Sequence, residues 1–128
     1  MLDASVAFPS ALAADGFAEL AGEELVAPPL MWSETRSALR LRAWQGVIEP
    51  AEAREAHERL ERAPVSRRSP AALGSQAWEV CDELGWARTY DAEYVALARL
   101  LRCRLVTLDN RLRRGAHRLG LVVLPSEL

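Results

Sequence analysis

The sequence predicts an α/β domain, a small parallel sheet with helices packed on it. Three observations carry this. Short apolar runs bounded by Gly, Pro and Asp alternate with longer stretches of helical periodicity, the pattern of repeated βα units. Half of the 128 residues are hydrophobic, enough to bury a core and too many for a disordered chain. There are no internal repeats, low-complexity tracts or linker-like stretches, so residues 1–128 read as a single domain.

The opening MLDASVAF reads as a very short strand ending near Asp3 to Val6. Strands usually run to about five residues. With only Met1 and Leu2 ahead of Asp3, either Ala4 to Val6 extend the strand or the true start lies upstream of Met1. Pro9 suits the start of a helix through Leu20. Leu25 to Ala27 form a short strand, stopped by Pro28 and Pro29. From Leu30, the positions Leu30, Glu34, Ala38, Leu41 and Trp44 or Gln45 share one helical stripe, and Gly46 ends that helix. Glu49 and Pro50 open a charged helix whose apolar side is Ala53, Ala56 and Leu60. APVSRRSP is a loop or a short edge segment. Ser69 and Pro70 have the form of an N-cap and first helical residue. Leu73, Ala77, Val80, Cys81 and Leu84 then make an amphipathic face ending at Gly85. TYDAEYVALA starts the next helix, which runs to about Arg102. CRLVTLDN reads as a buried strand leading into a turn, NRLRRGAHRL as a short basic helix, and LVVLP as a final strand.

No run approaches the roughly 20 apolar residues of a membrane span. The N-terminus lacks the basic region of a secretory signal, so the expected location is the cytoplasm. Cys81 and Cys103 lack a CxxC metal spacing; they could pair, but Cys81 on an apolar helical face favours a reduced, buried thiol. A net charge of −2 argues against a strongly basic nucleic-acid binder, yet the charge is uneven. Residues 1–60 hold ten acids and five arginines, whereas residues 61–128 hold eleven arginines and eight acids. Every cation is arginine, whose planar fork suits phosphate, although a GC-rich coding sequence gives the same bias. The absence of lysine excludes a P-loop and argues against phosphatase-type α/β sites that add a lysine to their acids.

Four acids stand at element ends or on inward faces. Asp3 and Asp109 follow strands, and open α/β sheets bind ligands beyond the carboxyl ends of their strands. Asp91 shares the face of Tyr94, Val95, Ala98 and Leu101, and Glu34 lies one turn inside its helix. Each has a local explanation: turn residues for Asp3 and Asp109, a helix cap for Asp91, an arginine partner for Glu34. Jointly, one convergent site accounts for all four. Two carboxylates about 5 Å apart at an effective dielectric near 20 repel by roughly 3 kcal/mol. Such a cluster takes up protons or requires a cation. Hard divalent cations with carboxylate and water ligands hydrolyse phosphodiesters without a general-base histidine. His57 and His117 accordingly have no ligand-type spacing, and no GxSxG nucleophile motif competes.

LDASV, TYDAEYVALA and LVTLDNRL resemble the acidic motifs of PIN domains, most closely those of the VapC-type toxins of bacterial toxin–antitoxin pairs. Glu34, in PPLMWSETRSALR, occupies the place of the family's helical glutamate. The resemblance covers nearly the whole chain and implies a PIN-like three-layer α/β/α sandwich with a small parallel sheet. It implies a metal-dependent endoribonuclease cleaving single-stranded or loop RNA, with Asp3, Glu34, Asp91 and Asp109 forming a pocket for Mg²⁺ or, as substitute, Mn²⁺. Ser5 and Thr107 match hydroxyl positions that support the metal waters. The resemblance also implies a homodimer and a cognate VapB-type antitoxin whose tail covers the pocket. Where some relatives carry a further acid two residues past the last aspartate, this chain has Arg111, which puts a second metal in doubt. Arg111, Arg113 and Arg114 are candidates for RNA phosphate contacts and Arg67 with Arg68 a second pair, a solvated surface being the equal alternative. Trp32, Trp44, Trp78 and Trp86 suit core or subunit interface better than base stacking. Two other readings stay open: a PIN nuclease of DNA or RNA processing outside a toxin–antitoxin pair, and a catalytically silent PIN-fold interaction module. The four acids argue against the latter.

Overall fold

The computed structural model describes residues 1–128. Its helices are α1 (Ala4–Leu12), α2 (Pro29–Trp44), α3 (Pro50–Glu61), α4 (Leu73–Leu84), α5 (Tyr90–Leu101) and α6 (Asn110–Ala116). Its strands are β1 (Leu25–Ala27), β2 (Val65–Arg67), β3 (Leu105–Val106) and β4 (Val122–Val123). β1 and β2 pair in parallel, with Leu25 beside Val65. β3 and β4 do the same, with Leu105 beside Val122. Met1 and Leu2 join the two ladders: the Leu2 amide donates to the Val26 carbonyl at 3.1 Å, and the Val106 amide to the Met1 carbonyl at 2.8 Å. The order across the sheet is therefore β2, β1, Met1–Leu2, β3, β4.

This order fixes the layers. From Leu2 the chain steps outward to β1 and β2, crosses back to β3, then steps outward the other way to β4. Right-handed crossovers in opposite directions place their helices on opposite faces of the sheet. In keeping with this, α1, α2 and α3 pack on one another, and α4 packs on α5. The result is an α/β/α sandwich whose strand order reverses between Leu2 and β3, the crevice where such sheets bind ligands. Leu2, Met31, Leu39, Leu60, Val80, Val95, Leu97 and Leu105 fill the core. α5 is its centre: Ala92 and every residue from Tyr94 to Ala98 are buried, with alanines letting neighbours approach closely.

Several local expectations give way. The strand does not continue past Leu2. Asp3 is the N-cap of α1 and accepts from the Ser5 and Val6 amides, so the helix begins at Ala4 and Pro9 lies inside it. Pro9 offers no N–H to the turn before it, and the helix ends at Leu12 instead of continuing to Leu20. On α2 the buried residues are Met31, Trp32, Thr35 and Leu39. The Glu34 stripe is thus one residue off the core centre, and its far end, Leu41 at 51% and Trp44 at 85% exposure, faces solvent. Ser69 and Pro70 precede α4 without starting it: the Pro70 carbonyl accepts the Leu73 amide at 2.9 Å, closing a turn first. APVSRRSP supplies β2. Both cysteines are free, and Cys81 is buried. No helix is long and apolar enough to cross a membrane.

Candidate active site

Asp3 stands at the end of the central strand segment and is 4% exposed. A buried carboxylate survives only if hydrogen-bonded, and this one is enclosed. Its Oδ1 accepts from the Ser5 amide at 3.0 Å, the Ser5 hydroxyl at 2.6 Å and the Val6 amide at 3.3 Å. Its Oδ2 accepts from the Thr107 hydroxyl at 2.5 Å. Both hydroxyls are themselves fixed from behind, Ser5 Oγ by the Leu108 amide at 2.8 Å and Thr107 Oγ1 by the Asp109 amide at 2.9 Å. The turn after β3 is thereby tied to Asp3 through two hydroxyls. Burial still raises the Asp3 pKa, against the lowering by Ser5, Thr107 and the Val6 and Ser5 amides.

Glu34 is half-buried, and its Oε2 accepts the Tyr94 hydroxyl at 2.6 Å. Burial raises its pKa, the Tyr94 bond opposes this, and the charges of Asp91, Asp3 and Glu93 add to the rise. Burial and the Glu34 carboxylate push the Tyr94 phenol far upward, so it stays a donor. Asp91 does not cap α5; that position belongs to Thr89, and Asp91 is an exposed acid in the first turn. Its pKa is nevertheless raised, by desolvation of the carboxyl and by Asp109, with Arg111 pulling the other way. Asp109 caps α6, its Oδ1 accepting the Arg111 amide at 2.7 Å and the Leu112 amide at 3.4 Å. Partial burial opposes ionisation there, but those amides and the Arg111 guanidinium bring the pKa below the usual value.

The four acids are thus linked in a chain near the strand reversal: Glu34 feels the charges of Asp3 and Asp91, and Asp91 that of Asp109. No three Asp, Glu, His or Cys side chains converge into a ready-made cage. The donor set fits a hard divalent cation that retains waters. Asp3, Glu34 and Asp109 each have one oxygen oriented by strong hydrogen bonds. Asp3 also holds its second oxygen, Oδ2, with the short Thr107 bond, whereas Glu34 Oε1 is open and Asp109 Oδ2 meets only the Arg111 guanidinium at 3.5 Å. Such second-layer bonds orient carboxylates toward a metal. Ser5 and Thr107 act on Asp3 directly, so any support they give metal waters passes through that carboxylate.

Glu34 and Asp91 share a cleft of about 400 Å³ with Trp86, Arg88, Tyr90 and Arg111. A larger concavity at Glu19–Glu23 and Pro125–Leu128 contains none of the four acids. The three arginines of α6 diverge: Arg111 lies in the acidic cleft, whereas Arg113 and Arg114 line a separate basic concavity with Asn110 and His117. Arg113 is also paired with Glu127 at 3.5 Å. Arg67 lies over the buried Trp32 ring at 4.6 Å. Sequence reasoning missed Glu93, Arg88 and Tyr90 and treated Tyr94 as apolar core. The available signal was the run of aromatic, arginine and acidic residues in WARTYDAEY.

The chain matches the PIN domain family over residues 1–118. It is 40% identical over 114 residues to the VapC ribonuclease Mb0985 of Mycobacterium bovis and to ribonuclease VapC9 in two strains of Mycobacterium tuberculosis. The aligned part covers 88% of this chain and 87% of each relative.

Proposed function

The chain belongs to the PIN domain family, and from that premise we propose that it is a divalent-metal-dependent endoribonuclease, the toxin of a VapBC-type toxin–antitoxin pair. The observation that carries the chemistry is the set of four acids near the strand reversal, with Asp3 locked through both oxygens and Glu34 and Asp109 each oriented through one oxygen with the other lightly engaged. Asp3, Glu34, Asp91 and Asp109 are the residues to hold the cation, Mg²⁺ or in its place Mn²⁺, which when bound supplies a nucleophilic water and relieves charge on the phosphodiester. The chain's own side chains prepare that centre. Ser5 and Thr107 lock the Asp3 carboxylate, Tyr94 turns Glu34, and the start of α6 fixes Asp109. Arg111 stands beside Asp109 at 3.5 Å, where a guanidinium can meet the phosphate of the substrate. Arg113 and Arg114 remain candidates for phosphates farther along the strand.

The substrate is single-stranded or loop RNA, and the partner is a cognate VapB-type antitoxin that covers the pocket. The protein acts in the cytoplasm as a homodimer. Leu41, Trp44 and Trp78 provide exposed apolar surface for such contacts.

Cleavage of a fluorogenic single-stranded RNA tests the reading, with the matched DNA alongside. RNA should be cut with Mg²⁺ or Mn²⁺, cutting should stop in excess EDTA, and added Mn²⁺ should restore it. Undiminished cutting in EDTA, with contaminating nucleases excluded, overturns the metal mechanism. Preference for DNA overturns the ribonuclease.

A further inference from the structure

We propose that Arg88, Tyr90 and Arg111 form a nucleotide subsite on one side of the acidic cleft, stacking the base and pairing the phosphate of the nucleotide beside the cut. The proposal rests on the endoribonuclease reading and adds residues to it. The cleft is lined by two acids, two arginines and two aromatics. Holding a cation calls for the acids alone, and guanidinium groups beside them weaken cation binding by repulsion. Arginine and aromatic side chains together match a ligand that carries both an anion and a π-face.

None of the three side chains is committed to folding. Tyr90, the first residue of α5, is 56% exposed and stands directly before Asp91. Arg88 is exposed and belongs to none of the ion pairs of the molecule. The Arg111 side chain is 86% exposed and held only by its long contact to Asp109.

The segment that carries Arg88 is nevertheless prebuilt. The Trp86 amide donates to the Cys81 carbonyl at 3.0 Å, and the Cys81 thiol donates to the Arg88 carbonyl at 3.3 Å. The Trp86 indole lies so close to α6 that a Cβ at Gly115 would come within 2.9 Å of Cζ2. Gly115 has an ordinary helical φ, so this close approach is the reason a side chain is excluded there. The indole is thus a fixed wall that joins the 86–88 segment to α6, and a preorganised wall loses little entropy when a ligand binds.

The test measures kcat and KM for Mn²⁺-dependent cleavage of a short single-stranded RNA, with thermal melts of each variant. Fluorescence anisotropy of the same RNA in an Asp91→Asn background gives its affinity directly. Tyr90→Ala should raise KM and weaken RNA binding by about fivefold to a hundredfold, the range of one lost base stack. Its melting temperature should stay at the parent value, and Tyr90→Trp should restore affinity. An RNA made abasic at the nucleotide beside the cut should bind parent and Tyr90→Ala alike. Arg88→Ala should weaken all RNA sequences equally and reduce the slope of log affinity against log salt by about 0.7. A parent that cuts RNA while Tyr90→Ala keeps its KM and affinity overturns the subsite alone. A parent that cuts no RNA with Mn²⁺ overturns the endoribonuclease reading itself.

Discussion

Replacing Thr107 with valine removes the hydroxyl at the centre of the acidic site and leaves its shape in place. Thr107 is fully buried, and its Oγ1 donates to Asp3 at 2.5 Å, accepts the Asp109 amide at 2.9 Å and lies 3.2 Å from Ser5 Oγ. The lost bond to a charged acceptor costs about 1.5–3 kcal/mol, and an unpartnered Asp109 amide costs about 1–3 kcal/mol where water cannot reach it. The added methyl returns roughly 0.8 kcal/mol. A net loss of about 2–5 kcal/mol follows, or roughly 8–20 °C in Tm for a chain of this size. The penalty also has a pH signature. Burial holds the Asp3 pKa above its usual value, and the Thr107 hydroxyl opposes that rise by stabilising the ionised form. Its loss therefore matters most where Asp3 is ionised, and the penalty should shrink as pH falls through the raised pKa. Urea unfolding in EDTA, at about pH 8 and at about pH 4.5, reads both features. Thr107→Ser keeps the hydroxyl and should lose only about 1 kcal/mol. A valine variant as stable as the parent at the higher pH, or a penalty that grows on acidification, refutes the reasoning.

Three further outcomes are expected. Metal-free Asp91→Asn should be as stable as the parent or more so, because it removes a charge that Asp109 opposes. It should also lose most RNA cleavage and most of the stabilisation by Mn²⁺, and normal cleavage with a full Mn²⁺ shift would end the assignment of Asp91. Asp3, Glu34 and Asp91 all have raised pKa values, so their ionisation lowers metal-free stability as pH climbs and strengthens cation binding over the same range. The Mn²⁺-induced rise in Tm should accordingly be larger at about pH 8 than at about pH 5, and the reverse order contradicts the site. Cys81 and Cys103 are free thiols, so reductant should leave the melting curve unchanged; a large loss would mean that they act jointly.

What could be read from the sequence divides along physical lines. Gly85, Gly46 and the Pro28–Pro29 pair mark element ends through local backbone chemistry, and the structure places ends there. The central strand segment is only Met1–Leu2, and its partners Val26 and Val106 are distant in sequence, so no local periodicity reports it. Asp3 was ambiguous for a related reason. An N-cap residue has extended dihedrals, here φ −102° and ψ −180°, just as a strand residue does. α2 offers two adjacent stripes, Leu30–Glu34–Ala38 and Met31–Thr35–Leu39, and packing on α1 and α3 selects the second. The placement of Asp3, Asp91 and Asp109 was legible because they stand where helices begin, and that of Glu34 because it lies one turn inside its helix. Tyr94 was not, since a phenol on an apolar face looks like core until its partner 60 residues away is known.

The arginine at position 111 makes the site more than a ring of like charges. It pulls the Asp109 carboxyl down and also works against the rise at Asp91. The larger influence on Asp109 comes from the amides of Arg111 and Leu112, which no solution condition short of unfolding α6 removes. Two carboxylates whose surroundings drive their pKa values apart take on different roles. Asp109 keeps its charge to lower pH, whereas burial pushes the carboxyls of Asp91, Glu34 and Asp3 upward. Whatever cation the proposed function places here would therefore meet an arginine that is already beside Asp109 before substrate arrives.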